Sequence, residues 1–117
     1  MHNLVYLIGR LTDDPKLKKC KNNQDSLSIN LAVQRSFKNE DGIYEVDYIK
    51  CELFNITALR TSEYCKKGDL VGIRGRLQTR RYEDNGETKY ITEVVVDKVS
   101  FLASKKDNNN NEEELAE

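Results

Sequence analysis

Residues 76–90, RLQTRRYEDNGETKY, combine three arginines, one lysine and two tyrosines around an Asn-Gly pair. Arginine and lysine pair with phosphate groups, whereas tyrosine rings stack on planar bases. Asn85-Gly86 is the strongest short-range signal for a two-residue hairpin turn. The stretch therefore predicts an exposed β-hairpin with cations beside aromatic rings, which is the combination that single-stranded nucleic acid requires of a binding surface.

A second group of aromatic and basic residues is predicted on neighbouring strands. Residues 46–54, VDYIKCELF, alternate between an apolar face and a face that carries Tyr48, Lys50, Glu52 and Phe54. Such a face is poor material for a core, so we expect it to be exposed and to stack on a ligand and neutralise its charge. Arg35 and Phe37 stand together at the first predicted hairpin, and the arginines that lead into the second are Arg74, Arg76, Arg80 and Arg81.

Each of these aromatic residues also has a purely structural alternative. Phe37 could pack against its own loop, and Phe54 could be a core residue because it precedes the predicted helix. Tyr82 and Tyr90 could form a cross-strand pair that stabilises the hairpin by about 0.2–1 kcal/mol. Arg80 and Arg81 are consecutive, so a strand sends them to opposite faces, and at least one is expected to be an ordinary surface charge.

The hydrophobic pattern predicts five strands and one short helix. Residues 26–35 alternate cleanly, residues 4–11 form an apolar run with a bend or a close backbone approach at Gly9, and Asp41-Gly42 marks the first hairpin. The predicted strands are 4–11, 26–35, 46–54, 69–82 and 88–102, and the helix is 57–67, capped by Asn55 or Thr57 and ended by Gly68. This order predicts the all-β class with one short helix, as a five-stranded OB-fold barrel with extended β-hairpins.

Charge is distributed unevenly along the 117 residues. Asp107 and the four glutamates after it leave 19 basic against 15 acidic residues in 1–106, so a body of +4 precedes a tail of −5. Such asymmetry favours a nucleic-acid or interaction role, and the alternative is a solvated surface with a solubilising tail. We predict one OB-fold domain at 1–104 and a disordered, Asn-rich acidic tail at 105–117.

Catalytic, metal and membrane functions find little support in the sequence. The single histidine, His2, stands at the N-terminus, and Asp13-Asp14 is typical of a turn rather than of a metal pair. The three cysteines lack the spacing of a zinc site, and Cys51 and Cys65 fit buried positions. We therefore predict no catalytic activity, no cofactor and no metal. Free thiols, without a signal peptide or transmembrane stretch, predict a cytoplasmic location.

Five segments of the chain carry the pattern of a known family: LIGRLTDDPKL, LAVQRSF, CELFNI, EYCKKGDLVGIRGRLQTRRYEDNGE and YITEVVVDKV. They closely resemble the bacterial single-stranded DNA-binding protein family, including its phage-encoded members, and the resemblance covers residues 3–102. It implies a homotetramer of OB-folds that coats and protects single-stranded DNA without sequence specificity. It also implies a role in DNA replication, recombination and repair, in association with the nucleoid.

The resemblance also implies which residues contact DNA. The base-stacking aromatic residues of the family correspond here to Phe37, Tyr48, Phe54 and Tyr82, with phenylalanine or tyrosine in place of the family's tryptophans. Its phosphate-binding positions correspond to Arg10, Arg35, Lys50, Arg74, Arg76, Arg80 and Arg81.

The end of the chain departs from the family pattern. Family members typically end in an acidic tip and a terminal hydrophobic pair, which docks on replication and repair proteins. This chain keeps the acids Glu112, Glu113 and Glu114 but ends in Leu-Ala-Glu. Recruitment of such partners through the tail therefore stays open. Two other interpretations also stay open: an OB-fold interaction adaptor of the replication-restart type, and an RNA-binding OB-fold.

Overall fold

The computed structural model describes residues 1–105. In chain order, the elements are β1 (Val5–Leu11), β2 (Lys18–Lys19), a 3-10 turn (Lys21–Asn23), β3 (Asp25–Lys38), β4 (Tyr44–Phe54), α1 (Asn55–Tyr64), β5 (Leu70–Asp84) and β6 (Glu87–Ala103). The predicted acidic tail, with Glu112, Glu113 and Glu114, lies outside the described residues.

Five of the strands close into a barrel. β5 pairs antiparallel with β1 and β6, β4 pairs parallel with β6 and antiparallel with β3, and β3 returns to β1. The closing contact between β1 and β3 is short, with Arg10 opposite Ala32 and Leu11 opposite Leu31. α1 connects β4 to β5 and packs against β3, β4 and β6. The predicted OB-fold barrel with one helix is confirmed.

Gly9 allows β1 to approach β3 at the point where the barrel closes. A Cβ atom on this residue would lie 2.4 Å from the carbonyl oxygen of Ala32 and 3.0 Å from the Cγ atom of Leu31. Real Cβ atoms do not come this close to a backbone oxygen, so no other residue fits without a shift of one strand. The close approach predicted at Gly9 is confirmed.

The core is filled by alternate residues of β3 and β4 and by residues of β5 and β6. The largest side chains that are less than 2% exposed are Leu27, Leu31, Leu53, Ile73, Val71, Val94 and Cys51. Cys51 and Cys65 are 0% and 5% exposed, which confirms their predicted burial. Burial raises the pKa of the Cys51 thiol to about 12, so this cysteine is a neutral core residue at ordinary pH.

The predicted helix boundaries were wrong by a few residues at each end. α1 begins at Asn55 without a side-chain cap and ends at Tyr64, well before Gly68. Hydrogen bonds from elsewhere in the chain end it early: Asp69 Oδ2 accepts from the Lys66 amide at 2.8 Å, and Asp14 Oδ1 accepts from the Lys67 amide at 2.8 Å. These contacts pull residues 66–69 into a turn, in which Gly68 has a φ of +89°.

The barrel closure can be tested by adding a single methyl group. We expect Gly9→Ala to lower the free energy of unfolding by roughly 1–3 kcal/mol, because the new Cβ atom meets backbone that cannot turn aside. Urea denaturation measures the change. Gly72→Ala is the control, since the atom nearest to its Cβ is the Tyr6 hydroxyl at 2.9 Å, at the end of a movable side chain. Equal stability of the two variants would contradict the closure argument.

Candidate nucleic-acid interface

β4 separates a core face from an exposed aromatic face, as the sequence predicts. Its inner residues Cys51 and Leu53 are fully buried. Its outer residues include Tyr48, which is 71% exposed, and Phe54, which is 39% exposed. Phe54 is therefore not a core residue, although it directly precedes α1. Two planar rings on one strand face remain available to a ligand.

The strand ladder joins this face to β6 and β5. Glu52 lies beside Val95 in the parallel β4–β6 pair, and Val95 lies opposite Arg76 in the β5–β6 pair. Side chains at paired positions share a face, and the face continues at every second residue along each strand. The predicted site residues that share this outer face are Tyr48, Lys50, Phe54, Arg76, Arg80 and Tyr82.

The hairpin between β5 and β6 turns where the sequence predicts. Asn85 and Gly86 have φ values of 52° and 81°, and Asp84 pairs with Glu87 across the two-residue turn. Both central residues therefore have the positive φ of a type I′ turn, which matches the twist of the flanking strands.

The register of this hairpin excludes the alternative role of its tyrosines. Tyr82 lies opposite Lys89, and Tyr90 lies opposite Arg81. Tyr82 and Tyr90 consequently point to opposite faces of the ribbon and do not form a cross-strand pair. Arg80 and Arg81 also point to opposite faces, as expected for consecutive strand residues. Arg80 and Tyr82 therefore lie on one face of the hairpin, and Arg81 and Tyr90 lie on the other.

Three other predicted residues are not placed on the outer face by the strand pairing. Phe37 is 64% exposed and so does not pack into its loop, but it lies beyond a register shift between Gln34 and Lys38. Arg35 binds Asp47, whose Cα partner is the part-buried Val33, so this arginine is on the side of β3 that leads to the core. Arg10 donates to the Gly68 carbonyl at 2.9 Å and ties β1 to the turn before β5.

Four of the predicted phosphate-binding cations already have carboxylate partners. The N–O distances in these pairs are 2.8 to 3.7 Å, apart from one shorter contact between Arg35 and Glu45. The pairs are Arg35 with Asp47 and Glu45, Lys50 with Glu52, Arg74 with Asp97, and Arg80 with Glu93. The three arginine pairs could not be predicted from the sequence, because they depend on which strands become neighbours, whereas Lys50 and Glu52 lie two residues apart on one face of β4.

The Arg35–Asp47 pair shifts the pKa of both members without removing them from solvent. The hydrogen bonds that Arg35 donates to Asp47 raise the pKa of Arg35 and lower the pKa of Asp47. Both side chains remain largely exposed. Exposed ion pairs are weak and are screened by salt. An incoming anion can therefore compete with the carboxylate for the guanidinium group.

Glu93 is the functional-site residue that sequence reasoning missed. Its side chain is only 4% exposed, and its Oε1 atom accepts a hydrogen bond from Arg80 Nε at 3.2 Å. Its Oε2 atom is buried without a hydrogen-bond partner in residues 1–105. The hydrogen bond and charge of Glu93 raise the pKa of Arg80. A buried carboxylate thus anchors one arginine of the outer face and limits its motion.

Two predicted cations have no carboxylate partner in the part of the chain that the structure describes. Arg76 contacts the amide oxygen of Gln78 at 3.1 Å, from Nη2 to Oε1. Arg81 has no partner within residues 1–105. Their charge is therefore uncompensated locally, in contrast to that of Arg80.

Comparison with known sequences supports the same interpretation. A profile of the Single-strand binding protein family matches residues 2–102, nearly the whole described chain. The chain belongs to this family. Among its relatives, single-stranded DNA-binding protein B of Bacillus subtilis strain 168 is 48% identical over 106 residues, which are 90% of this chain and 94% of that protein.

Other relatives in the single-strand binding protein family are longer than this chain. Single-stranded DNA-binding protein 1 of Lactococcus lactis is 46% identical over 91% of this chain and 71% of its own length. The single-stranded DNA-binding protein of Oceanobacillus iheyensis is 45% identical over 90% of this chain and 66% of its own length. The family resemblance seen in the sequence is confirmed.

Neither a membrane-spanning helix nor a metal-binding side-chain cluster is found within residues 1–105. Within residues 1–105, no helix is long and apolar enough to span a membrane. The same residues contain no group of three or more histidine, cysteine, aspartate or glutamate side chains that could hold a metal ion.

The anchoring of Arg80 can be tested against its neighbour. We expect Arg80→Gln to lower the Tm at neutral pH, because it takes a hydrogen-bond donor and a positive charge from the buried Glu93 carboxylate. Arg81→Gln is the matched control and should leave the Tm unchanged, since Arg81 has no partner in the described chain. Thermal unfolding followed by circular dichroism measures both variants, and equal Tm values would remove the anchoring role.

Proposed function

We propose that this protein binds single-stranded DNA without sequence specificity and thereby coats and protects it during replication, recombination and repair. The observation that carries the proposal is the shared outer face of β4, β5 and β6. This face presents three exposed rings, Tyr48, Phe54 and Tyr82, together with cations on the same strands. The relatives named above are single-stranded DNA-binding proteins, which supports the proposal.

The chemistry of this face suits an unpaired strand of any sequence. Each base stacked on an aromatic ring contributes about 1–3 kcal/mol, and every base has a flat face to stack. Lys50, Arg76 and Arg80 provide positive charge for the phosphates between stacked bases. Duplex DNA hides its base faces, so it can use only the cations. The face should therefore prefer single strands to duplex.

The remaining predicted residues extend this surface in the proposal. Phe37 would supply a fourth ring beyond the register shift in β3. Further phosphate contacts are assigned to Arg10, Arg35, Arg74 and Arg81. Arg35 and Arg74, like Lys50 and Arg80, must exchange a carboxylate for a phosphate when they bind. They should therefore contribute less net affinity than unpaired arginines.

We also propose that the protein is a homotetramer, a number that comes from the family resemblance. In the structure, β1 pairs with β5 along Val5–Arg10, but β3 covers only Arg10 and Leu11. The other edge of residues 5–9 is therefore an unpaired strand edge in this subunit. Tyr6 and Ile8 beside it are 59% and 49% exposed. A second copy that adds its own β1 would satisfy the edge and cover these side chains.

The acidic tail and the location complete the proposal. Glu112, Glu113 and Glu114 lie outside the described residues, and their proposed role as a contact for replication and repair proteins rests on sequence resemblance. We propose a cytoplasmic, nucleoid-associated protein without catalytic activity. Single-stranded DNA and other copies of this chain are its primary partners.

The stacking role can be tested with matched tyrosine variants. We expect Tyr48→Ala and Tyr82→Ala each to weaken oligo-dT binding by about 1–3 kcal/mol, roughly 5- to 150-fold, because each removes one stacked base. Fluorescence anisotropy of labelled oligo-dT at fixed salt measures the affinity. The control is Tyr64→Ala on α1, where the ring is 72% exposed but lies outside the strand face. Wild-type affinity in both strand variants would remove the stacking claim.

The subunit contact can be tested by placing a charge on β1. We expect Ile8→Lys to reduce the particle mass measured by light scattering, because a lysine cannot be buried at an apolar contact without a large desolvation penalty. Ile43→Lys is the control, since Ile43 is 60% exposed in the loop between β3 and β4. A wild-type protein that is monomeric at micromolar concentration would contradict the proposed assembly.

A further inference from the structure

The β5–β6 hairpin has two exposed faces, and the proposed stacking surface uses one of them. Every residue from 76 to 90 is exposed. The first face carries Arg80, Tyr82 and Lys89. By the strand register, the second face carries Thr79, Arg81, Glu83, Thr88, Tyr90 and Thr92. A ring and a cation therefore recur on the side that has no assigned role.

The second face is open because the barrel ends before the hairpin does. The pairing of β1 with β5 stops at Gly75. Asn3 then caps the next part of the edge, with its side chain accepting from the Leu77 amide at 2.9 Å and donating to the Leu77 carbonyl at 2.8 Å. Beyond this cap the hairpin continues as a two-stranded ribbon. No barrel strand covers Tyr90, whose ring is 71% exposed.

Arg81 and Tyr90 are arranged as a pair on this second face. They are direct cross-strand partners in the β5–β6 ladder. Directly opposed residues have Cβ atoms about 4.5–5.5 Å apart, so the guanidinium group and the ring can contact one ligand together. A base and its adjoining phosphate form one such ligand, because the base can stack on the ring while the phosphate pairs with the guanidinium group.

Within residues 1–105, Arg81 has no ion-pair partner that would compete with an external anion. Arg80, on the first face, is held by the buried carboxylate of Glu93 at 3.2 Å. Arg81 has no such partner among residues 1–105. Asp84 binds Lys89 at 3.0 Å, and Glu83, two residues away on the same face, forms no ion pair with Arg81. A phosphate that approaches Arg81 therefore displaces no internal ion pair. Binding of a phosphate to Arg81 therefore gains the full free energy of counterion release from the DNA.

We propose that Arg81 and Tyr90 form a second nucleotide-binding subsite, on the hairpin face opposite to Tyr82. A single DNA strand that leaves Tyr82 crosses the edge of the β-hairpin and places a following nucleotide on Tyr90. The inference rests on the proposed function, because the ligand is the same single-stranded DNA. It adds that the strand wraps around the hairpin instead of lying along one side.

Oligonucleotide length separates the two faces. An OB-fold covers about 4–16 nucleotides, so an oligo-dT of about 8 nucleotides should occupy the first face, whereas one of about 35 nucleotides should reach both. We expect Tyr90→Thr to weaken binding of the long oligomer by roughly 5- to 100-fold and to change binding of the short one by less than about twofold. Threonine keeps the strand propensity of the position, so the hairpin should remain folded.

Two further variants sharpen this experiment. Tyr90→Phe retains a ring and should bind the long oligomer as the wild type does. Thr88→Ala lies on the same face without a ring and should also leave binding unchanged. Arg81→Gln should make the slope of log K against log salt shallower by about 0.7 for the long oligomer, as expected for one lost phosphate contact on a single strand.

Direct contact can be measured by photo-crosslinking of an iodouracil-substituted oligomer, followed by mass spectrometry of the crosslinked peptide. A crosslink at Tyr90 supports the subsite. Crosslinks restricted to Tyr48, Phe54 and Tyr82 overturn it. Normal long-oligomer affinity in Tyr90→Thr, together with weakened binding in Tyr82→Ala, also overturns the subsite and leaves the proposed function standing.

Two other results separate the remaining explanations. If Tyr90→Thr changes the particle mass in light scattering without DNA, the second face is a contact between protein copies and the subsite is overturned. If the wild-type protein does not bind oligo-dT at all, the proposed function fails, and the subsite fails with it.

Discussion

The alternation of side chains along a strand is the constraint on which this structure depends. Consecutive residues of β4 must point to opposite sides, so the same strand that buries Cys51 and Leu53 has to expose Tyr48 and Phe54. The packed core holds the backbone still, and the exposed rings are held at fixed separations without any packing of their own. The proposed binding surface for bases is therefore the outer side of the strands that build the barrel.

Several of the predicted phosphate-binding arginines are balanced by carboxylates within the protein. Arg35, Arg74 and Arg80 each face a carboxylate on a neighbouring strand. When such an arginine turns to a phosphate, its former partner attracts a cation from solution, which offsets part of the counterion release from DNA. We therefore expect the rings to contribute a larger share of the binding affinity than a count of arginines suggests. Glu93 adds a second effect, because its burial restricts where Arg80 can reach.

The sequence predicts features set by local chemistry better than features set by neighbours in space. Strand alternation predicted the two faces of β4, Asn85-Gly86 predicted the turn, and Gly9 predicted a close approach. The end of α1 was misplaced because Asp14 and Asp69 form hydrogen bonds that depend on the folded loops. The pairing of Arg80 with Glu93 and the separation of Tyr82 from Tyr90 both depend on register, which no single strand pattern contains. The contacts of Phe37 and Arg10 with DNA stay predictions.

The central claim is that exposed rings and cations on one barrel face bind unpaired DNA of any sequence. A titration of poly-dT and of a duplex of matched length, over a series of salt concentrations, tests it most directly. We expect tight binding of the single strand at low salt and much weaker binding of the duplex. For each phosphate contact, log K for the single strand should fall by about 0.7 or less per tenfold increase in salt concentration. Equal or tighter binding of the duplex, or no binding of poly-dT in dilute buffer, would contradict it.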